Sequence, residues 1–244
     1  MSVLQSQRFS LTFEPWLVFK LLDVIRVGLV DGDEDIRFGR RLLIDSQEDC
    51  QVVFEESNAL DVIDRAPEAL IDVLVIDHRV KTLDGIELVE KLIPKYRENN
   101  ADVPAIILTG PYFSRELLLA SIAAGASDLV TLDSDSGELL KAIRSSVAAD
   151  DDLDFEGLRQ VVERSSDVEF AVPDILVKIG SLDDQETKTL AAFKSGNNDI
   201  AISKALGIPK YRVKQAMENV LTKCGLATRA QLFLAITYAE QKLV

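Results

Sequence analysis

Carboxylates follow two apolar segments of this chain, in positions that could serve metal or phosphoryl chemistry. Asp77 comes directly after the apolar run 73–76, and an acidic cluster that includes Asp31 and Asp33 comes directly after the run 25–30. Such runs are typical of buried parallel strands, and open α/β sheets place their binding sites at the carboxyl ends of these strands. Clustered carboxylate oxygens suit Mg²⁺. The sequence therefore predicts a divalent cation site that contains Asp31, Asp33 and Asp77.

The composition argues against several other classes of protein. With 244 residues, of which 47% are apolar and 28% charged, the chain is typical of a soluble protein with two cores. No segment approaches the roughly 18 uninterrupted apolar residues of a membrane helix, and the N-terminus lacks the features of a secretion signal. A single histidine, His78, argues against a zinc site. Cys50 and Cys224, far apart and without ligand spacing, fit a reducing compartment, so we expect a cytoplasmic protein.

The net charge of −14 is divided unevenly along the chain. Residues 182–244 contain nine lysines and arginines against six aspartates and glutamates, a net charge of +3, which leaves −17 for residues 1–181. An acidic body with a mildly basic tail indicates that only the tail approaches nucleic acid.

Short apolar strands alternate with amphipathic helical segments over residues 25–148, which we take as the first domain. This order predicts a doubly wound, five-stranded parallel sheet with helices on both faces. The strands are predicted at 25–30, 50–54, 73–76, 105–109 and 128–131, and the helices at 35–45, 59–65, 85–96, 114–124 and 136–147.

Three further segments complete the chain. Residues 1–24 form an N-terminal extension rich in aromatic residues, read as an extra arm packed on the first domain or as a docking arm. Residues 149–181 are predicted as a linker with a short helical stretch at 156–164. Residues 182–244 have helical periodicity throughout, with segments at 184–194, 198–206, 210–223 and 229–243. The Gly207-Ile208-Pro209 connection between the middle two predicts a helix-turn-helix.

Several short motifs occur in the order of a known family. They are Leu29-Val30-Asp31, Val75-Ile76-Asp77, Asp84-Gly85, Pro104 through Thr109 and Gly125-Ala126-Ser127. With them, the first domain resembles a two-component receiver of flavodoxin-like fold, and the tail resembles a LuxR-type helix-turn-helix. The whole chain is therefore similar to the NarL/FixJ-type response regulators. The resemblance implies that Asp77 is the phosphoacceptor, that Asp31 and the backbone carbonyl of Arg79 bind metal, and that Thr109 is a switch residue.

Departures from the family pattern predict a degenerate receiver. Four positions differ from the family pattern. Gly32 replaces the usual second acidic residue and Leu132 the usual lysine, while Leu129 replaces the usual aromatic switch residue and Lys81 the usual proline. Loss of a charge-assisted contact such as that of the lysine is typically worth about 1.5–3 kcal/mol. We therefore expect regulation independent of phosphorylation, no required cofactor and only weak Mg²⁺ binding. The alternative is a conventional, phosphorylation-activated response regulator.

Helical spacing in the tail predicts which residues read double-stranded DNA. Early residues of the second helix of the motif would reach bases, and cations around them would bind phosphates. Val213, Met217, Val220 and Leu221 would form the core stripe. The predicted base-facing residues are Lys210, Tyr211, Lys214 and Gln215, and the predicted phosphate contacts are Lys204, Arg212, Lys223 and Arg229.

Two other functions are consistent with parts of the sequence. The motifs 29–33 and 106–110 resemble those of haloacid-dehalogenase-type phosphatases, in which Asp31 would be the nucleophile and Asp33 the general acid. An adaptor would bind RNA polymerase or a partner regulator without reading DNA. The leading interpretation is a transcription regulator without enzyme activity that binds DNA as a homodimer, through the helices at 114–124 and 136–147, and does not associate with membranes.

Overall fold

The computed structural model describes residues 24–131, 136–147, 158–160 and 175–241. The N-terminal extension up to residue 23, Leu132 and most of the linker lie outside these residues, so the predictions made for them stay predictions. Of the predicted linker helix, only residues 158–160 are described, and they are helical. No helix among the described residues is long and apolar enough to span a membrane.

The first part of the chain folds into a five-stranded parallel sheet in the order β2-β1-β3-β4-β5, with helices on both faces. The predicted class is confirmed. The order reverses beside β1, so β1 and β3 meet at the topological switch point. The strands are β1 Ile25–Val30, β2 Cys50–Glu56, β3 Val73–Asp77, β4 Ala105–Gly110 and β5 Asp128–Thr131, and the helices are α1 Glu34–Asp45, α2 Ala59–Arg65, α3 Gly85–Glu98, α4 Arg115–Ala124 and α5 Ser136–Val147.

Two apolar clusters cover the faces of the sheet. One packs α1 and α5 against inward residues such as Val27, Val75 and Ile107, and the other packs α2, α3 and α4 against Leu74 and Ile106. Residues of a central strand alternate between the two clusters because successive side chains point to opposite faces. Burial on both faces explains why these strands are continuous apolar runs.

The tail is helical. Its helices are α6 Ile175–Ile179, α7 Asp184–Lys194, α8 Asp199–Leu206, α9 Lys210–Cys224 and α10 Arg229–Gln241. Helices α8 and α9 form the predicted helix-turn-helix, with Gly207 in the left-handed conformation (φ 66°) at the end of α8. A glycine adopts this backbone conformation without the strain that a Cβ would cause.

The two parts of the chain contact each other through α4 and α10. Leu119 and Ile122 of α4 form a buried cluster with Ala230 and Leu234 of α10. The side-chain amide of Gln231 donates to the backbone carbonyl of Ala123 at 2.5 Å. One face of α4, a helix that the sequence assigned to a dimer interface, is therefore covered by the tail of the same chain.

Candidate functional site

Two buried carboxylates lie at the switch point of the sheet. Asp31 directly follows β1, and Asp77 is the last residue of β3 rather than one residue beyond it as predicted. Asp31 is 4% exposed and Asp77 is 5% exposed. The structure thus brings together two of the three carboxylates expected at this edge, and we call the site formed by Asp31, Asp77 and the side chains that contact them the acidic pocket.

A buried arginine that sequence reasoning missed supplies the cation of this pocket. Arg40 lies on the inward face of α1, one turn before the core residue Ile44. Its Nη1 lies 2.6 Å from Oδ2 of Asp31, and its Nη2 lies 3.9 Å from Oδ2 of Asp77. The Arg40 side chain is only 9% exposed. The one signal in the sequence was that its position, four before Ile44, lies on the apolar face of the helix.

The remaining contacts of the two carboxylates are made by nearby backbone. Oδ1 of Asp31 accepts a hydrogen bond from the backbone N–H of Asp33 at 2.9 Å, and Oδ1 of Asp77 accepts one from the backbone N–H of Arg79 at 2.9 Å. Burial raises the pKa of Asp31, and the Asp33 N–H and the charge of Arg40 oppose that rise. Both oxygens of Asp31 are thus engaged within the chain.

Asp33 does not enter the pocket. It is exposed, and its Oδ1 caps the start of α1 by accepting from the backbone N–H groups of Asp35 and Ile36. Its expected place in a cation site is therefore not supported by this structure, because an N-cap interaction holds the carboxylate at the helix terminus.

The acidic pocket supplies two side-chain carboxylates, and both have partners within the chain. Within the described ranges no group of three or more histidine, cysteine, aspartate and glutamate side chains could hold a metal ion. Mg²⁺ in proteins is usually held by one or two carboxylates together with several waters or phosphate oxygens. Here Arg40 holds one oxygen of Asp31 and lies beside Asp77.

The predicted switch residues occupy different surroundings. Thr109 is buried at the end of β4, and its hydroxyl donates to the backbone carbonyl of Ile76 over 3.4 Å. Leu129 is half-buried in β5 and packs against the apolar clusters. His78 has its Nδ1 3.9 Å from Oδ1 of Asp77 and its ring in edge contact with Phe113. Thr109 lies directly opposite Asp77 in the pairing of β3 with β4, and Leu129 is an apolar packing residue.

Gly32 and Lys81, two departures from the family pattern, prove to be neighbours in space. A Cβ on Gly32 would lie 3.3 Å from Cγ and 3.6 Å from Cε of Lys81. The lysine stem therefore occupies the space beside Gly32 into which a larger side chain would extend. The sequence separation of the two residues hides this contact.

Helix α9 presents a polar face outward and an apolar face inward. Val213, Met217 and Val220 are fully buried, which confirms three of the four predicted core residues, and Leu221 is partly buried beside them. Tyr211 is 64% exposed. Four other side chains predicted to face DNA are also exposed, namely Lys204, Arg212, Lys214 and Gln215, and Lys210 is partly exposed.

Two predicted phosphate contacts are engaged in ion pairs within the tail. Arg229 is 11% exposed and its Nη1 lies 2.6 Å from Oδ1 of the buried Asp199. Lys223 is more accessible, at 40%, and contacts the buried Glu186 at 2.6 Å. Because a buried carboxylate needs its partner, the structure gives Arg229 a role in the core of the tail. Its expected contact with phosphate stays a prediction.

Comparison with known proteins finds response regulators that are similar to most of this chain. Residues 27–144 match the response regulator receiver domain family. The chain is 29% identical over 208 residues to the DNA-binding transcriptional activator DevR/DosR of Mycobacterium tuberculosis, covering 85% of this chain and 92% of the relative. It is 26% identical over 219 residues to the transcriptional regulatory protein LiaR of Bacillus subtilis, covering 89% and 98%. A LuxR-family response regulator structure from Aurantimonas sp. superposes with a TM-score of 0.45 at 29% identity, over 50% of this chain and 83% of that one.

Proposed function

We propose that this chain is a NarL/FixJ-type response regulator that binds double-stranded DNA through α9 and regulates transcription with a receiver that does not depend on phosphorylation. The single observation that carries the DNA-binding part is the exposed face of α9. Tyr211, Lys214 and Gln215 lie at its N-terminal end and are exposed, and recognition helices reach base edges with residues in such positions.

The cations around α9 divide into two groups, and only one of them suits phosphate binding. Lys204 and Arg212 are exposed, and the guanidinium of Arg212 lies 5.6 Å from the centre of the Tyr211 ring. Arg229 is instead held by Asp199. We infer that the first group contacts DNA and that Arg229 maintains the fold of the tail.

Binding to genomic fragments at moderate salt tests this function. We expect selection of a defined set of sequences, with Lys214→Ala weakening binding to all of them. Lys188→Ala is a matched control, because Lys188 is an exposed lysine that pairs with Asp184 on α7, away from the recognition helix. Absence of any sequence preference in the wild-type protein would refute the proposal and favour an adaptor that contacts RNA polymerase or another regulator.

Regulation without phosphorylation is supported by the acidic pocket. Arg40 pairs with Asp31 and lies beside Asp77, so the carboxylate expected to bind Mg²⁺ next to the candidate phosphoacceptor is already engaged. The same pairing argues against a phosphatase, since Asp31 as a nucleophile would need to reach a substrate and its charge is already engaged. We therefore propose a protein without enzyme activity and without a required cofactor, in which Mg²⁺ binding is weak.

The proposed assembly is a homodimer in the cytoplasm, where its DNA target lies. Two tails on neighbouring half-sites would raise affinity by multivalency. Because α10 covers Leu119 and Ile122 of α4, a dimer that uses α4 must use its other face or displace the tail. Helix α5 has no such restriction from α10 in the clusters of the described residues.

A further inference from the structure

We propose that Arg40 is the resident cation of the acidic pocket and that its guanidinium, by supplying the positive charge between Asp31 and Asp77, prevents the receiver from binding divalent cations. The inference rests on the proposed function because it takes the first part of the chain to be a receiver. It is tested separately from DNA binding, since metal binding is measured without DNA. It is carried by the geometry of one buried side chain.

The position of Arg40 is the first observation. Its side chain is nine-tenths buried, and Nη1 forms a 2.6 Å contact with Asp31. Among the described residues, Nη2 of Arg40 is one of two buried side-chain nitrogen or oxygen atoms without a hydrogen-bond partner, although it lies 3.9 Å from Asp77. An arginine so deeply buried is retained where opposite charge compensates its desolvation, and the two carboxylates provide that charge.

The geometry beside Gly32 is the second, independent observation. The stem of Lys81 occupies the space that a larger residue at position 32 would need. Gly32 offers no carboxylate, and Asp33 caps α1 instead of turning inward. The pocket therefore offers only two side-chain carboxylates, and one of them is already paired.

The charges explain why the arginine excludes a metal. Two buried carboxylates repel each other, and one guanidinium reduces their summed charge from −2 to −1. A divalent cation would then have to approach a fixed positive charge within the same low-dielectric pocket. Removal of Arg40 leaves two unpaired carboxylates close together, which is an arrangement that attracts a divalent cation.

Titration of the full chain with Mg²⁺ alone, and with Mn²⁺ in parallel, tests the proposal. Thermal unfolding followed by circular dichroism reports binding, because a ligand of the folded state raises the melting temperature with its concentration. We expect no saturable shift for the wild type, a saturable shift for Arg40→Gln, and loss of that shift in the double variant Arg40→Gln/Asp77→Asn. Arg41→Gln is the matched control, since Arg41 is the adjacent arginine and forms exposed pairs with Glu55 and Asp45.

Each outcome decides the matter. Saturable Mg²⁺ binding by the wild type would overturn the proposal, as would a folded Arg40→Gln variant that gains none. If Arg40→Gln is unfolded without metal, the same titration is read as refolding, and failure to refold at saturating Mg²⁺ counts against the proposal. Failure of the protein to bind DNA would not change the outcome of the metal titration. The proposal of DNA binding and the proposal of metal exclusion can therefore fail independently.

Discussion

Arg40, Asp31 and Asp77 form the most consequential group of side chains in the molecule. Phosphorylation of a receiver aspartate depends on cationic charge that neutralises the incoming phosphoryl group. In this chain the nearest cation is part of α1 and is already paired with Asp31. This pairing leads to one prediction about phosphorylation of Asp77 and one about the stability of an Arg40 variant.

Incubation with acetyl phosphate and Mg²⁺ is expected to leave the intact mass of the protein unchanged. The physical reason is that Arg40 lies beside Asp77 and already holds the Asp31 carboxylate that would otherwise bind Mg²⁺. Intact-mass spectrometry measures the result, with Asp77→Asn as the control. A single phosphoryl adduct that disappears in the control would show that the site still reacts.

Arg40→Gln should lower the free energy of unfolding by about 3–5 kcal/mol, because it leaves buried Asp31 without its cation. Arg41→Gln removes only exposed pairs and should cost at most about 1 kcal/mol. Urea unfolding of the two variants provides the comparison. Equal effects of the two substitutions would mean that the buried pair contributes no more than a surface pair.

Contacts between secondary-structure elements also depend on charge. Arg144 of α5 holds Asp49, which lies in the turn between α1 and β2, with two hydrogen bonds of 2.7 and 2.8 Å. These bonds lower the pKa of Asp49 to about 2. A carboxyl whose pKa is lower in the folded state stabilises the fold above its unfolded-state pKa and loses that contribution as the pH falls through its folded value.

The stability difference between wild type and Asp49→Asn should therefore be constant near neutral pH and vanish as the pH falls from about 4 toward 2. The difference will be small, because both side chains are about two-fifths exposed and solvent screens the pair. Urea midpoints measured at several pH values test this. A difference that does not decline between pH 4 and pH 2 would assign the effect to packing instead of charge.

Within the tail, Arg229→Gln should destabilise the helix-turn-helix by about 3–5 kcal/mol, since buried Asp199 would lose its partner. DNA binding should fall in proportion to unfolding and recover at temperatures where the variant is folded. Lys188→Gln, which breaks an exposed pair on α7, should cost about 0.3–0.5 kcal/mol. Weaker DNA binding by a fully folded Arg229→Gln protein would restore the arginine as a phosphate contact.

The sequence was sufficient to place most elements but not the contacts between them. Continuous apolar runs identified all five strands to within two residues, because buried parallel strands have few alternatives. Arg40 was missed since an arginine in a helix is usually read as a surface residue, and only its partner from the end of β1 makes its burial stable. Lys81 and Gly32 could not be linked, because their proximity arises from the packing of two separate loops.

At the scale of the whole molecule, the α4–α10 cluster couples the receiver to the tail. Leu234 is fully buried against Leu119 and Ile122. Leu234→Ala should cost about 2–5 kcal/mol, as buried leucine truncations do, and should increase amide hydrogen exchange in Arg115–Ala124. Val177→Ala, at an exposed site on α6, should leave that exchange unchanged. Unaltered exchange in Leu234→Ala would show that the two parts do not stabilise each other.

The arginine in the acidic pocket also has a consequence for timing. A phosphoryl group is added and hydrolysed, so a receiver that carries one can be reset without making or destroying protein. A guanidinium that belongs to the chain cannot be removed. Occupancy of the DNA target would then follow the number of molecules in the cell, and a response would fade only as fast as proteolysis and dilution by growth remove them.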